Sequence, residues 1–340
     1  MTLSELANDA PPASGAKRSF LMTFLANGGI VVTLLIVALV LTALIEPRFL
    51  NRLNLINLGR NFSFLLIPAL AQMLVMTAGG FDLSVGIVAA AGSVVSALAM
   101  SAVTAGGGSE TLAFLAALAV VIVVGLAAGA VNAVLIARFA LSPFMVTLAV
   151  MSALTGIALY YTQGIPIYGV TDSFIQIVGR GQLLGIPVIL WIALAFLLAC
   201  VVIQRFTVFG RHIYAVGSDI RASRLSGVRT QRVLTGVYVL AGMLSALTGF
   251  LMTARIGSGQ ATIGGTMALE TIAASVIGGV SLRGGLGRAE LVALAALFLT
   301  VVANAMNLLQ FDSKYQTLVL GFILILALGM ERLLLGRNNR

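Results

Sequence analysis

The chain reads FSFLLIPALAQMLVMTAGGFDLSVGIVAAAGSVVSALAMSAVT between residues 62 and 104, and this stretch decides the fold. It holds two apolar runs, 62–78 and 83–104, of about the ~20 residues that a helix needs to cross the hydrocarbon core of a bilayer. Two glycines and one carboxylate lie between the runs, at Gly79, Gly80 and Asp82. The stretch therefore predicts two membrane-spanning helices joined by a short polar break.

Apolar runs of the same kind fill most of the remaining chain. They cover residues 24–45, 111–137, 143–162, 184–204, 233–253, 289–309 and 315–330, with a shorter run at 269–282. Hydrophobic residues make up 60% of the 340 residues and charged residues only 9%, too few for the surface of a soluble protein. We predict an all-α, polytopic membrane helix bundle of about ten transmembrane helices, with broken or short elements near residues 79–86 and 269–287.

The charges of the chain lie in the gaps between the apolar runs. The net charge of +9 is therefore interpreted as a topology signal, and no nucleic-acid partner is expected. With ten crossings and a cytoplasmic N-terminus, 14 of the 20 Lys and Arg residues fall on the inner side and six on the outer side; the outer cluster of Arg48, Arg52 and Arg60 is the one anomaly. We expect a multi-pass inner-membrane protein with both termini cytoplasmic. Residues 1–19 are predicted to be a disordered cytoplasmic tail, and residues 20–340 a single transmembrane domain that contacts membrane lipid.

Several kinds of site are excluded or disfavoured by the residues present. The single cysteine, Cys200, allows no intrachain disulfide, and the single histidine, His212, has no second metal ligand at suitable spacing. The nucleotide-binding motif G-x-x-x-x-G-K-[ST] is absent, so we expect no ATP hydrolysis by this chain and no cofactor. Carboxylates within the apolar spans are few, chiefly Asp82 and Glu270, with Glu290 near a helix start; this is a thin set for an ion-coupled transporter, though it does not refute one.

The break at 79–86 carries the first candidate site. A helix break within a membrane frees backbone polar groups, which is tolerated where protein or a water-filled cavity satisfies them. Asp82 either caps the helix that follows or lines a transport route, and the sequence leaves both roles open. The segment 278–285, GGVSLRGG, resembles this break and hints at a repeated device.

The segment 205–232 is the most basic part of the chain and is predicted to be cytoplasmic. Ser218 or Asp219 can cap a short helix there, and Gly227 can end it. Arg221 and Arg224, three residues apart, would share one face of that helix. From spacing alone, the segment is either a docking site for another protein or a loop that only fixes orientation.

The segment 163–183 is predicted to be periplasmic, because ten crossings counted from a cytoplasmic N-terminus place it on the outer side of the membrane. It is longer than a tight turn requires. A long outer loop can receive a partner, or it can be a passive lid.

Three segments together resemble the permease subunits of bacterial ABC sugar importers of the ribose, xylose and galactose type. They are residues 78–86, close to the family's GGIDLSVG, and the segments 209–227 and 270–285. The resemblance covers nearly the whole chain after Lys17. Branched-chain amino acid permeases are more distant kin of the same architecture and remain an alternative, as does an ion-coupled secondary transporter.

The resemblance implies a division of labour among several subunits. A second permease chain, as a homodimer, would form the pore; a cytoplasmic ABC ATPase would hydrolyse ATP; and a periplasmic sugar-binding protein would deliver a pentose or hexose. The residues implied in coupling to the ATPase are Gly210, Tyr214, Gly217, Asp219, Arg221, Arg224, Leu225 and Gly227. Those expected to line or gate the route are Gly79, Gly80, Asp82, Ser84, Glu270, Gly278, Gly279 and Ser281.

Overall fold

The computed structural model describes residues 28–336, and the predicted tail 1–19 lies outside them. The helices are α1 (Ile30–Ile45), α2 (Arg52–Thr77), α3 (Val85–Ala105), α4 (Glu110–Ala133), α5 (Pro143–Thr162), α6 (Val188–Phe206), α7 (Val208–Ser218), α8 (Ile220–Leu225), α9 (Thr230–Ile256), α10 (Met267–Ile277), α11 (Ala289–Leu308) and α12 (Ser313–Gly336). A short antiparallel hairpin, β1 (Gln182–Leu183) and β2 (Ile186–Pro187), precedes α6. The predicted all-α class is confirmed.

Seven of the described helices are long and apolar enough to cross a membrane: α2, α3, α4 with the π-helical turn that continues it, α5, α6, α9 and α11. Three further apolar helical stretches are shorter, namely α1, α10 and the part of α12 up to Leu326. The polytopic bundle is therefore confirmed, whereas the count of about ten crossings is not.

Helix α9 packs against α4, α3 and α2 within the bundle. Small residues allow the backbones to meet: a Cβ atom added at Gly242 of α9 would lie 2.7 Å from the backbone nitrogen of Gly129 in α4. Close approach of this kind replaces the hydrophobic effect as the source of helix association in a bilayer.

Helix α10 is the short element expected within 269–287. Its 11 residues extend over ~16 Å, about half of the ~30 Å hydrocarbon core. Met267, its first residue, packs with Val85 and Ala89 of α3, so α10 begins beside the start of α3. The chain then leaves the helix at Gly278 and runs without regular structure to α11.

Two arginines that the topology pattern leaves unexplained have structural partners. Arg48 forms two hydrogen bonds with the carboxylate of Glu46, at 2.7 and 2.8 Å, and donates a third to Leu308 O at 3.1 Å. The Arg48 guanidinium lowers the pKa of Glu46 to about 2. Arg60, which is buried, donates to Arg180 O at 2.8 Å. These two charges are engaged in holding this end of the bundle together.

Candidate functional site

The break between α2 and α3 is built on a buried polar cluster. Asp82 is 2% exposed, and its Oδ1 accepts hydrogen bonds from the backbone nitrogen of Ser84 at 2.8 Å and from Ser84 Oγ at 2.5 Å. Ser84 is the N-cap residue of α3. The carboxylate therefore bonds the N-cap residue itself, and no side chain caps the N–H groups of the first turn of α3.

Two residues that the sequence analysis did not single out complete this polar cluster. Asn132 of α4 donates from Nδ2 to Ser84 Oγ at 3.0 Å, and Tyr238 of α9 donates from its hydroxyl to Phe81 O at 3.3 Å. Asn132 is the only amide side chain in the apolar run 111–137, a signal that was available. Tyr238 carried no comparable signal, because aromatic residues are common in such helices.

Both chain breaks use the same helix-ending geometry. After α2, Gly79 N donates to Met76 O at 2.9 Å and Gly80 N donates to Val75 O at 3.0 Å. After α10, Gly279 N donates to Val276 O at 2.9 Å and Val280 N donates to Ser275 O at 3.0 Å. This pair of bonds around a glycine with positive φ is the Schellman motif, and φ is +83° at Gly79 and +78° at Gly279.

The second break matches the first with a shift of one residue. Aligning the two segments of the chain by sequence pairs Gly79 and Gly80 with Gly278 and Gly279. In the structure, Gly279 is the residue with positive φ after α10, as Gly79 is after α2. Gly278 instead allows close packing, since a Cβ atom there would lie 2.8 Å from Val292 Cα of α11. The two breaks therefore share the same helix-ending backbone geometry, although the residues that adopt it are not the ones paired by the sequence.

The two breaks meet each other and α7 at one place, which we call the glycine junction: Thr77, Gly79, Gly217, Gly284 and Gly285. Gly285 N donates to Thr77 O at 2.9 Å. A Cβ atom added at Gly284 would lie 2.6 Å from Gly217 O and 2.8 Å from Gly79 Cα. At Gly217 an added Cβ would overlap Thr77 O and lie 2.6 Å from Gly285 N. Because Gly217 and Gly284 have no side chain, the three backbones can come this close.

Further contacts hold α7 against the bundle beside the glycine junction. Tyr214 donates from its hydroxyl to Gly287 O at 2.6 Å. Burial and the nearby Glu290 carboxylate raise the pKa of Tyr214, so the hydroxyl remains a donor at neutral pH. Glu290 pairs with Arg205 at the end of α6. Close packing against α6 comes from Gly210, where a Cβ atom would lie 2.8 Å from Gln204 Cα.

The short helix predicted around Arg221 and Arg224 is confirmed as α8. Asp219 caps it, accepting from the backbone nitrogens of Arg221 at 2.7 Å and Ala222 at 2.9 Å. These N–H groups, chiefly that of Ala222, lower the pKa of Asp219. Gly227 follows with φ of +83°. Leu225 is 90% exposed, and Arg221 and Arg224 are exposed as well, so α8 presents an apolar side chain beside two cations.

Glu270 lies apart from the polar cluster and the glycine junction, in a cavity of about 370 Å³ between α2, α10, α11 and α12. Its Oε1 accepts from Thr266 Oγ1 at 2.6 Å, and no cation pairs with it among the side chains that the structure describes, those of residues 28–326 and 329. The other polar groups lining the cavity are amides and hydroxyls, from Asn61, Thr300, Ser313, Gln316 and Thr317. This set can accept and donate hydrogen bonds to a neutral polar solute.

The structure thus divides the route candidates among several places. Gly79 belongs to the glycine junction, while Gly80, Asp82 and Ser84 lie at the buried cluster, where a Cβ atom on Gly80 would overlap the Tyr238 hydroxyl. Ser281 is buried and accepts from Arg283 N at 3.1 Å in the loop after α10. No cluster of three or more His, Cys, Asp or Glu side chains able to hold a metal occurs in the described part of the chain.

Comparison with known proteins identifies the family. A family model described as the permease component of branched-chain amino acid transport systems matches residues 54–328. The chain is 38% identical to the ribose import permease of Bacillus subtilis (strain 168), over 88% of this chain and 90% of that protein. It is 32% identical to the L-arabinose transport system permease of Escherichia coli (strain K12), over 85% of this chain and 86% of that protein. It is also 33% identical to a probable ABC transporter permease of Escherichia coli (strain K12), over 95% of this chain and 94% of that protein. No solved structure matches. The chain is therefore a multi-pass inner-membrane protein of the ABC permease family that includes the ribose and arabinose import permeases.

Proposed function

We propose that this chain forms the membrane pathway of an ATP-driven importer for a pentose such as ribose or arabinose. A separate cytoplasmic ATPase supplies the energy, a periplasmic binding protein delivers the sugar, and two copies of the chain form the pore. The sugar relatives favour a pentose over a branched-chain amino acid, although the matched family model carries the amino acid name. In this arrangement both termini are cytoplasmic.

The observation that carries the proposal is the connection from an exposed helix to both chain breaks. Helix α8 is capped at Asp219, ends before Gly227, and exposes Leu225 beside Arg221 and Arg224. An apolar side chain flanked by cations suits a groove with an acidic rim on a partner protein. Helix α8 is therefore the ATPase contact in this proposal.

Motion of α8 would pass to the membrane through α7. Only Asp219 separates the two helices, and α7 places Gly217 in the glycine junction, in contact with the loops that end α2 and α10. A push on α8 from the ATPase would shift both breaks together. Those breaks are backbone segments without regular helix, which can absorb dihedral changes as hinges.

The cavity at Glu270 is the proposed place where the sugar passes on its way inward. A neutral pentose carries several hydroxyl groups, and a carboxylate with surrounding amides and hydroxyls is a chemically matched lining. Its volume of about 370 Å³ falls within the range of ~300–1,000 Å³ usual for small-molecule sites. Helix α10, which carries Glu270, leads from this cavity to the glycine junction.

Reconstitution into vesicles tests the proposal. Vesicles holding the chain, the ATPase and the sugar-loaded binding protein should accumulate labelled ribose or arabinose when ATP is supplied. Vesicles holding the chain alone should accumulate neither, even under an imposed proton or sodium gradient. Uphill uptake by the chain alone would support an ion-coupled secondary transporter instead, and uptake of labelled leucine by the complete system would support the amino acid alternative.

A charge reversal on α8 tests the ATPase contact separately. Arg224→Glu should leave membrane insertion intact and abolish ATP-driven uptake, because the ATPase surface would meet the wrong charge. Arg138→Glu is the matched control: it reverses another exposed arginine, in the π-helical turn after α4. Normal uptake by Arg224→Glu, or equal loss in both variants, would contradict the role of α8.

A further inference from the structure

The hairpin before α6 has an unusual tip. Leu184 and Gly185 both have positive φ, +55° and +79°, as in the two-residue turns that favour Asn, Asp or Gly at these positions. A leucine is disfavoured there because its Cβ crowds the backbone in the left-handed conformation. Leu184 at the tip is also 87% exposed, and Leu183 is 58% exposed. Two large apolar groups therefore project from a tight turn that is better suited to a polar residue.

The hairpin is fixed in position beside the outermost turn of α6. Trp191, in the first turns of that helix, donates from its indole nitrogen to Leu183 O at 3.2 Å. Val188 N donates to Gly181 O at 3.0 Å. On the other side, a Cβ atom added at Gly59 of α2 would lie 3.2 Å from Leu190 and 3.9 Å from Pro187. Leu183 thus lies beside the first turns of a membrane-spanning helix and does not extend beyond the end of that helix into the surrounding water.

The surroundings of the tip are those of a lipid-facing surface. No charged residue occurs between Arg180 and Arg205. Along α6, Leu194, Leu198 and Val202 are exposed at intervals of one turn, so one apolar face runs from the hairpin down the helix. Trp191 is 39% exposed, and a half-exposed tryptophan with its N–H bonded is typical of the membrane interface.

We propose that the hairpin Gln182–Pro187 is a lipid anchor, with Leu183 and Leu184 inserted among the acyl chains at the outer edge of the bilayer. The apolar tip continues the exposed face of α6 without an intervening charge, and a bilayer is the solvent that this face meets. Because Pro187 and Leu190 contact Gly59, the anchor holds the start of α2 at a fixed depth.

The chain offers a direct test, because Trp191 is its only tryptophan. In a Trp191→Phe background, Leu184→Trp places a single fluorescent reporter at the tip, and Tyr168→Trp places a control reporter at an exposed residue of the preceding segment. Both full-length variants are reconstituted into phosphatidylcholine vesicles, with or without bromine on carbons 6 and 7 of the acyl chains.

We expect the Leu184→Trp emission to be blue-shifted, quenched by the brominated lipid and resistant to acrylamide in water. The Tyr168→Trp control should show the reverse. Acrylamide quenching of Leu184→Trp equal to that of the control would overturn the proposal. Resistance of Leu184→Trp to acrylamide that appears only when the binding protein is added would also overturn the proposal, since the tip would then be a protein-docking surface.

A second variant separates a lipid contact from a turn requirement. Leu184→Asn suits the turn better than leucine but removes the apolar group, and it keeps Trp191 as the reporter. We expect acrylamide quenching of Trp191 to increase in this variant. Unchanged quenching would mean that Leu184 does not hold this turn in the bilayer, and would also overturn the proposal.

Discussion

The backbone nitrogen of Gly285 donates a hydrogen bond to the carbonyl oxygen of Thr77 across 2.9 Å. Thr77 ends α2, and Gly285 lies in the loop after α10, so this bond joins two chain breaks that are far apart in sequence. Gly217 of α7 packs directly on both partners. Helix α7 and the two breaks therefore form one contact unit, and a change at any of its glycines affects the other members.

Gly217→Ala should destabilise the protein, because the new methyl group would overlap Thr77 O. Overpacking of this kind costs ~1–3 kcal/mol. We expect a lower thermal unfolding midpoint of the purified protein and loss of ATP-driven uptake.

Gly156→Ala is the matched control for Gly217→Ala. Gly156 lies within α5, with nothing within 4 Å of an added Cβ atom, and alanine at a helix interior gains up to ~1 kcal/mol over glycine. An unfolding midpoint for Gly217→Ala equal to that of Gly156→Ala would show that the glycine junction tolerates a side chain.

Asp219 should maintain α8 across the physiological pH range. Its carboxylate pKa is lowered from 3.8 by the N–H groups of Ala222 and Arg221. The stabilisation is therefore present above the ordinary value and is lost only as the pH falls through the lowered pKa. ATP hydrolysis stimulated by the binding protein should not depend on Asp219 ionisation between pH 5 and 8.

Two substitutions at Asp219 show whether its cap is required. Asp219→Asn keeps an oxygen acceptor, and asparagine is an equally good N-cap, so coupling should persist. Asp219→Ala removes the acceptor from a six-residue helix, which is too short to persist without support, so stimulated hydrolysis should fall towards the unstimulated rate. Equal activity of the two variants would contradict this role of the cap.

The sequence could predict the local features of the candidate site. Capping and positive φ select particular residue types, so the sequence placed the ends of α8 at Ser218 or Asp219 and at Gly227; the structure shows that Asp219 is the cap. The breaks after α2 and α10 followed from glycine pairs within apolar runs. A glycine pair does not reveal which member takes the positive φ, however, and this is why Gly79 was matched to Gly278 rather than Gly279.

Long-range contacts were beyond the reach of sequence patterns. Nothing near Gly217 indicated that Thr77 and Gly285 would surround it, since close backbone approach depends on tertiary packing. The number of crossings was uncertain for a related reason: apolar composition marks α10 as membrane-buried, but only the structure shows a helix of 11 residues. Asn132 was visible as an amide within an apolar run, but its partner Ser84 was not.

Ser84→Ala should destabilise the protein through Asn132. The substitution removes the acceptor of the Asn132 Nδ2 bond, and a buried donor left without a partner costs ~1–3 kcal/mol. The double variant Ser84→Ala with Asn132→Leu should recover the part of the loss that comes from the unpaired Asn132 amide, whereas the part that comes from the lost bond between Ser84 Oγ and Asp82 should remain. Thermal unfolding of the four proteins gives the interaction energy; additive losses would contradict the pairing.

Asp82→Asn separates a local structural role, bonding to Ser84, from a transport role. Asparagine retains a side-chain oxygen that can accept from Ser84 N, so membrane abundance and unfolding temperature should change little. If Asp82 also lines the route, uptake per assembled transporter should fall, as we expect. A loss of protein abundance with unchanged uptake per molecule would assign Asp82 a structural role alone.

Glu270→Gln should reduce uptake without reducing stability. Glutamine keeps an oxygen that can accept from Thr266 Oγ1, and it removes a carboxylate that has no cationic partner within the described chain. Hydrogen bonds to a charged group are worth ~1.5–3 kcal/mol, so uptake of labelled ribose or arabinose should fall about tenfold or more. The unfolding temperature should hold or rise, because a charge within the membrane is costly.

The control for Glu270→Gln is Asp172→Asn, which neutralises an exposed carboxylate in the segment before the hairpin. It should leave uptake unchanged. Neither substitution should alter ATP hydrolysis by the ATPase, since both positions are remote from α8 in the chain and outside the glycine junction. Normal uptake by Glu270→Gln would show that the sugar does not pass through this cavity. A fall in ATP hydrolysis that matches the fall in uptake would show that Glu270 acts in the coupling of ATP hydrolysis to transport instead.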